Sequence, residues 1–208
     1  MYLVLDTETG GRNTNASLLE IYLKFYNADF TPYKTDDILS NDLHLLVKPN
    51  DHLFIVDGEA MEVNKINLVD HDKKSNTYEV AGQKLANWIN RHRRSTFSES
   101  YYDYKATPDL YVLGHNVHFD LDFIYKYLMP KEIWDKEVSY RVRDTQLLGG
   151  SLRDAGLMPV HVAKLRAMSE HFMGKEWTKQ HTEHTAKGDC EMTIIVYQKM
   201  MELLRGKK

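Results

Sequence analysis

Two carboxylates stand directly after the first apolar run of the chain. Residues 1–5 are followed by Asp6, Thr7 and Glu8. In an extended strand, side chains two positions apart project from the same face, so Asp6 and Glu8 would lie together at the strand end. Adjacent carboxylates repel each other unless a cation lies between them, and divalent cations take oxygen ligands. The pair suggests a metal-dependent hydrolase, although a capping or solvated turn explains this spacing equally well.

Two later segments carry further acidic and histidine side chains. Asp120 stands where a predicted strand gives way to a helix, a position at which a carboxylate also serves as a simple N-terminal cap. His184 and Asp189 stand near the start of the last predicted helix. Positions five apart on a helix are separated by about 140°, so these two side chains would flank one site without touching. Each segment alone is weak evidence, because solvated helix faces also carry such residues.

A mixed sheet has to position these residues. The hydrophobic patterning predicts strands over residues 2–6, 18–27, 44–48, 110–115 and 140–144, and helices over residues 59–63, 80–93, 121–128, 160–172 and 184–204. Short polar links favour an antiparallel meander of the first three strands, and a β-α-β-α-α order follows. The rest of residues 50–74 is predicted to be loop. No domain boundary is evident, so we expect one domain over residues 1–208.

The composition narrows the class of protein. The formal net charge of −3 argues against nucleic-acid binding through overall charge, but it allows a local basic groove. Cys190 is the only cysteine, so no intramolecular disulfide can form and a reducing compartment is favoured. No apolar run is long enough to span a bilayer, and no signal peptide is expected before the first strand. We therefore expect a cytoplasmic protein without membrane association.

The order of the motifs is more specific than any one of them. Asp-x-Glu at a strand end is followed by Gly-His-Asn-x-x-Phe-Asp at residues 114–120 and by His-x-x-x-x-Asp at residues 184–189. In this order the motifs resemble the DEDDh family of 3′→5′ exonucleases, which includes bacterial proofreading exonuclease subunits and ribonuclease T. Residues 19–21, residues 59–66 and the Asp144-Thr145 pair extend the resemblance. It implies a ribonuclease H-like α/β fold, with a mixed five-stranded sheet flanked by α-helices.

The resemblance also implies a role for each motif residue. The four metal carboxylates correspond to Asp6, Glu8, Asp120 and Asp189, and the general base corresponds to His184. Two Mg²⁺ ions, with Mn²⁺ as a substitute, would stabilise the attacking and leaving oxygens of a phosphodiester. An imidazole ordinarily titrates close to neutral pH, so it could take the proton of the attacking water. The residues implied at the 3′-terminal nucleotide are Thr7, Thr9, Gly10, Met61, Asn64 and Asn116, and ordinary core packing explains Met61 equally well.

The predicted function is hydrolysis of single-stranded DNA from its 3′ end, with release of nucleoside 5′-monophosphates. The sequence leaves open the alternative of an exoribonuclease with the same site, because discrimination between RNA and DNA depends on contacts to the 2′-hydroxyl group. The intact set of five motif residues disfavours a non-catalytic nucleic-acid-binding accessory module. The expected partners are single-stranded nucleic acid, DNA rather than RNA, and a polymerase or another replication or repair protein. Tyr101, Tyr102, Tyr104 and Lys105 could form a base-stacking surface, although such a stretch is more often a plain surface loop.

Overall fold

The computed structural model describes residues 1–34, 40–97, 110–138, 140–181 and 184–206. The candidate stacking residues Tyr101, Tyr102, Tyr104 and Lys105 lie outside these ranges. The strands of the described residues are β1 (Tyr2–Thr9), β2 (Leu18–Tyr26), β3 (Asp42–Lys48), β4 (Asn76–Thr77), β5 (Tyr111–Gly114) and β6 (Val142–Asp144). The helices of the same residues are α1 (Gly58–Asn64), α2 (Leu68–Lys74), α3 (Tyr78–Phe97), α4 (Val117–Tyr127), α5 (Lys131–Glu137), α6 (Thr145–Asp154), α7 (Leu165–Met173), α8 (Lys175–Thr178) and α9 (Ala186–Leu204).

The six described strands form one mixed sheet in the order β4-β3-β2-β1-β5-β6. β1, β2 and β3 pair antiparallel, which confirms the predicted meander. β5 runs parallel to β1, and β6 runs parallel to β5. The expected count of five strands omits β4, a two-residue strand parallel to β3. A strand this short leaves no alternating pattern in the sequence.

Strand β1 is covered on both of its faces. Leu3 and Leu5 belong to a core that includes residues of α3, α4 and α5. Val4 belongs to a second core, which includes Ala186 and Cys190 of α9. Because side chains alternate along a strand, Asp6 and Glu8 project towards the α9 side, whereas Thr7 projects towards the α4 side. Burial of both faces explains why this run is apolar until its acidic end.

The helices differ from the predicted ones mainly where they are short. α2, α5, α6 and α8 were not predicted. α2, α5 and α8 have four to seven residues, too few turns for a clear hydrophobic period, and α6 follows β6 directly without a link. The helix predicted over residues 160–172 begins at Leu165, after the turns that follow Pro159. The last helix begins at Ala186 instead of residue 184, because the Thr185 side chain caps it. In the described part of the chain, no helix is long and apolar enough to cross a membrane.

Candidate functional site

Three of the predicted metal carboxylates meet at the end of β1. Asp6 and Glu8 come from β1, and Asp189 comes from the first turn of α9. One carboxylate oxygen from each side chain lies within 4.8 Å of the other two. The contact between α9 and β1 produces this meeting, since Ala186 and Cys190 pack in one core with Val4. The structure therefore joins β1 and α9 at one acidic cluster.

The electrostatics of this cluster favour a bound cation. Burial, followed by the charges of Asp189, Glu20 and Asp120, raises the pKa of Glu8 to about 8. Burial and the charge of Asp120 likewise raise the pKa of Asp6 well above its usual range. Carboxylates with such pKa values pay a free-energy penalty when they ionise without a counter-charge. Their oxygen donors fit a hard divalent cation such as Mg²⁺ or Mn²⁺, which would remove that penalty.

Asp120 lies near the cluster but has other hydrogen-bond partners. Its Oδ1 accepts hydrogen bonds from the backbone N–H of Thr7 at 3.0 Å and from the Thr7 hydroxyl at 2.7 Å. The side chain is buried, and burial raises its pKa to about 7. These bonds tie the first turn of α4 to β1 between the positions of Asp6 and Glu8. Among the described residues, Asp120 is not part of the three-carboxylate group.

Asp144 builds the junction that presents Asp120. Its carboxylate accepts hydrogen bonds from the N–H groups of Asn116 and Val117, at the start of α4. It also accepts from the N–H groups of Gln146 and Leu147, at the start of α6. One buried carboxylate thus caps two helices. From the sequence, Asp144 was assigned only to a family motif, and its capping role was missed. Aspartate is a favoured N-cap residue, so its type was the available indication.

Asn116 occupies a special backbone position at the same junction. Its φ of 62° lies in the left-handed region, which asparagine tolerates better than most residues. Its side chain is exposed and makes no capping hydrogen bond to α4. The amide is therefore presented to solvent at the start of the helix that carries Asp120, and its predicted contact with a nucleotide stays a prediction.

His184 lies just before α9 and not within it. Its φ is 60°, a strained conformation for a residue other than glycine, and it is exposed. The next residue, Thr185, caps the helix by accepting a hydrogen bond from the N–H of Gly188 at 3.2 Å. The helical spacing that we expected between His184 and Asp189 is therefore wrong. Strained backbone of this kind is often found at functional sites, which is compatible with the predicted base.

The residues predicted at the nucleotide make internal contacts. The Thr9 hydroxyl donates to the carbonyl of Gly11 at 2.8 Å, and the N–H of Gly10 donates to Ser17 at 2.7 Å. The Asn64 amide donates to the Thr9 carbonyl at 3.1 Å, which holds the end of α1 against β1. Met61 is partly buried in α1. The structure brings Thr9, Gly10 and Asn64 together at the strand end, and contact of the predicted set with a nucleotide is a proposal.

Comparison with known proteins identifies the fold. No protein-family model matches the chain, and no curated protein matches it. Exonuclease I of E. coli, solved in complex with a dT13 oligonucleotide, matches with a TM-score of 0.70 at 15% identity over 99% of this chain and 42% of its own. Exonuclease I from Methylocaldum szegediense matches with a TM-score of 0.64 at 17% identity over 100% of this chain and 40% of its own. The zinc-bound complex of the E. coli enzyme with single-stranded DNA matches with a TM-score of 0.64 at 17% identity, over 99% of this chain and 41% of its own.

The chain therefore has the α/β, ribonuclease H-like fold of these exonucleases, with a mixed sheet flanked by helices. It spans about two fifths of the length of the solved structures that it matches. At 15–17% identity the likeness defines the fold alone, and the chemistry has to be argued from the residues of this chain.

Proposed function

We propose that this protein is a metal-dependent 3′→5′ exonuclease that hydrolyses single-stranded DNA and releases nucleoside 5′-monophosphates. The observation that carries the proposal is the cluster of Asp6, Glu8 and Asp189, whose oxygens lie within 4.8 Å of one another. The fold supports it, since the matching exonuclease I structures include complexes with DNA oligonucleotides and with zinc.

The proposed roles are those that the family resemblance implies, and the three-carboxylate cluster supports those of Asp6, Glu8 and Asp189. Asp6, Glu8 and Asp189 would bind Mg²⁺, with Mn²⁺ as a substitute, and Asp120 would contribute to a second ion. Two such ions, when bound, would stabilise the charge that develops on the oxygens of the reacting phosphodiester. His184 would accept the proton of the attacking water, because it precedes the helix that carries Asp189. His184 itself is exposed and lies just before the start of this helix.

The proposed substrate contacts lie around the end of β1. Thr7, Thr9 and Gly10 belong to or follow this strand, and Asn64 is hydrogen-bonded to it. The exposed amide of Asn116 and the side chain of Met61 complete the proposed set. We further propose that residues 1–208 act as one exonuclease unit in the cytoplasm. Association with a polymerase or another repair protein stays a prediction.

Digestion of end-labelled oligonucleotides tests the proposal. With Mg²⁺, a 3′-labelled single strand should lose its label at once as a mononucleotide, whereas a 5′-labelled strand should shorten progressively. Asp6→Asn should lower the rate by more than about 100-fold, because loss of a direct ligand exceeds the 10–100-fold effect typical of residues around it. Release from the 5′ end, or a rate unaffected by chelator, would refute the proposed mechanism.

Digestion of an RNA strand of the same sequence decides between DNA and RNA as the substrate. Faster loss of RNA than of DNA under identical conditions would replace the DNA assignment with that of an exoribonuclease. Binding of both strands without any hydrolysis, in the presence of Mg²⁺ or Mn²⁺, would instead identify a non-catalytic binding module.

A further inference from the structure

A carboxylate outside the cluster lies directly opposite Glu8 on the sheet. Glu20 of β2 is the antiparallel partner of Glu8 of β1, and it is buried. Residues paired in this way have Cβ atoms about 4.5–5.5 Å apart and project from the same face. Two like charges directly across a sheet repel each other. The charge of Glu20 contributes to the raised pKa values of both Glu8 and Asp6.

A histidine on the next strand engages this carboxylate from the other side. His44 of β3 makes a 2.8 Å hydrogen bond between its Nε2 and the Oε1 of Glu20. β2 lies between β1 and β3 in the sheet, so Glu8 and His44 flank Glu20 on opposite sides. The bond therefore draws the Glu20 carboxylate towards β3 and away from Glu8. The Glu20 side chain is only 11% exposed, which leaves it few other partners.

The surroundings of His44 hold its ring in this position. Tyr22, the antiparallel partner of His44 in β2, packs edge-to-face with the imidazole, with 5.8 Å between the ring centroids. The Tyr22 hydroxyl in turn donates to Asp42 at 2.8 Å. The hydrogen bond with Glu20 raises the pKa of His44, and the charges of Lys187 and Asp42 act on it in opposite directions.

We propose that His44 and Glu20 form a positioning pair, in which His44 holds the Glu20 carboxylate away from Glu8 so that Glu8 stays directed at Asp6 and Asp189. Neither residue needs to touch the substrate for this role. Without His44, the freed carboxylate of Glu20 would turn towards the cluster and take part in cation binding. The cation would still bind, but in an arrangement unsuited to hydrolysis. This inference rests on the proposed function, which it extends by a residue pair outside the five residues predicted to bind metal or act as the base.

Four variants test the pair. His44→Ala frees Glu20, His44→Gln keeps an N–H donor, and Glu20→Gln combined with His44→Ala removes the charge that His44 restrained. His52→Ala is the matched control, since His52 makes a similar 2.8 Å bond to Asp72 and its side chain has a similar exposure of 52%. Two measurements are needed for each protein: kcat and KM on single-stranded DNA with saturating Mg²⁺, and calorimetric titration of the metal-free protein with Mn²⁺.

The pair predicts a specific pattern across these variants. His44→Ala should lower kcat about tenfold, the size of effect typical of residues around a metal site, with KM for DNA unchanged. The same variant should bind Mn²⁺ more tightly than the wild type, because an additional carboxylate reaches the ion. His44→Gln and the double variant should restore both kcat and Mn²⁺ affinity, and His52→Ala should change neither.

Other results would overturn the proposal in recognisable ways. A raised KM for DNA that the double variant does not correct would make His44 a substrate contact. A lowered Tm with unchanged kcat and Mn²⁺ affinity would leave the pair with a structural role only. If the wild type does not hydrolyse DNA, the proposed function fails, and the Mn²⁺ titration still tests the pair. In that case, tighter Mn²⁺ binding by His44→Ala, with wild-type affinity in the double variant, supports the positioning pair. Unchanged Mn²⁺ binding by His44→Ala overturns it.

Discussion

At the scale of single residues, the acidic cluster makes the metal-free protein sensitive to pH. Glu8 has a pKa of about 8 in the folded chain, mainly because it is buried, compared with an ordinary value of 4.5. Both the folded and the unfolded states bind a proton at this side chain below pH 4.5. Between pH 4.5 and 8 the folded state retains the proton that the unfolded state has lost. Folding stability therefore falls as pH rises through this window, and Asp6 acts in the same direction.

Glu8→Gln should remove part of this dependence. In the presence of chelator, the variant should unfold at a higher temperature than the wild type at pH 8 and at nearly the same temperature at pH 4.5, because a neutral amide never ionises. Glu62→Gln is the control, since Glu62 is an exposed glutamate on α1. Thermal unfolding followed by circular dichroism measures the difference. A Glu8→Gln protein that is less stable than the wild type at pH 8 would contradict the assignment.

At the scale of elements, the site depends on how helix starts are fixed to strand ends. Asp144 ends β6 and caps both α4 and α6, while Thr145 donates to the carbonyl of Gly114 at the end of β5. Asp120 then anchors α4 to β1. The parallel strands β1, β5 and β6 are thus connected at one edge through side chains as well as through the sheet. The position of Asp120 relative to Asp6 depends on these contacts.

Asp144→Ala should destabilise the fold by about 2–4 kcal/mol. Loss of one helix cap typically costs about 1 kcal/mol, and this substitution removes two caps and leaves buried N–H groups without partners. Asn67→Ala, which removes the single cap of α2, should cost only about 1 kcal/mol. Urea unfolding monitored by fluorescence gives both values. Equal losses in the two variants would show that Asp144 does not link the two helices energetically.

A close approach at the end of β1 requires glycine at position 10. A Cβ atom on Gly10 would lie 2.6 Å from the carbonyl oxygen of Ile55 and 2.7 Å from a methyl group of Val56. The segment before α1 is hydrogen-bonded there, since the N–H of Asp57 donates to the Gly10 carbonyl at 2.6 Å. The chain therefore passes against the strand that carries Asp6 and Glu8.

Gly10→Ala should displace this segment and lower both stability and activity. Overpacking of this kind typically costs about 1–3 kcal/mol. Gly58→Ala provides the contrast, because a Cβ atom at this helical position would contact no other segment of the described chain. That variant should be neutral or slightly stabilising, since alanine is the better helix former. The prediction fails if the two alanine variants have the same midpoint in urea.

At the scale of the whole molecule, the sequence predicted the strands and the acidic strand end well, because buried central strands have a strong apolar signature. The antiparallel meander followed from short polar links. The features that the sequence did not predict depend on contacts between elements that are distant in the chain. The hydrogen bond from Thr7 to Asp120 forms only because α4 packs on one face of β1 while Asp189 lies on the other. The start of α9 after His184 depends on a threonine cap that periodicity does not reveal. The Glu20–His44 pair arises only from the register of three strands.

Metal binding should stabilise the whole molecule, because the cluster joins its first strand to its last helix. Asp6 and Glu8 lie in β1 and Asp189 lies in α9, so an ion held among them links segments that are far apart in sequence. A ligand at about 100 times its dissociation constant stabilises the folded state by about 2.7 kcal/mol, which corresponds to roughly 5–10 °C in Tm for a chain of this size. The carboxylates must lose their protons to bind the ion, so the shift should be larger at pH 8 than at pH 6.

Differential scanning calorimetry with Mg²⁺ or Mn²⁺, at both pH values, measures this coupling. Asp189→Asn should abolish the shift, because the link between α9 and β1 would lose its ligand on the helix. Asp70→Asn, a change of the same chemistry at an exposed position of α2, should leave the shift intact. A metal-induced shift that persists in Asp189→Asn would place the ion elsewhere. A shift that is larger at pH 6 than at pH 8 would mean that the raised pKa values of Asp6 and Glu8 do not control binding.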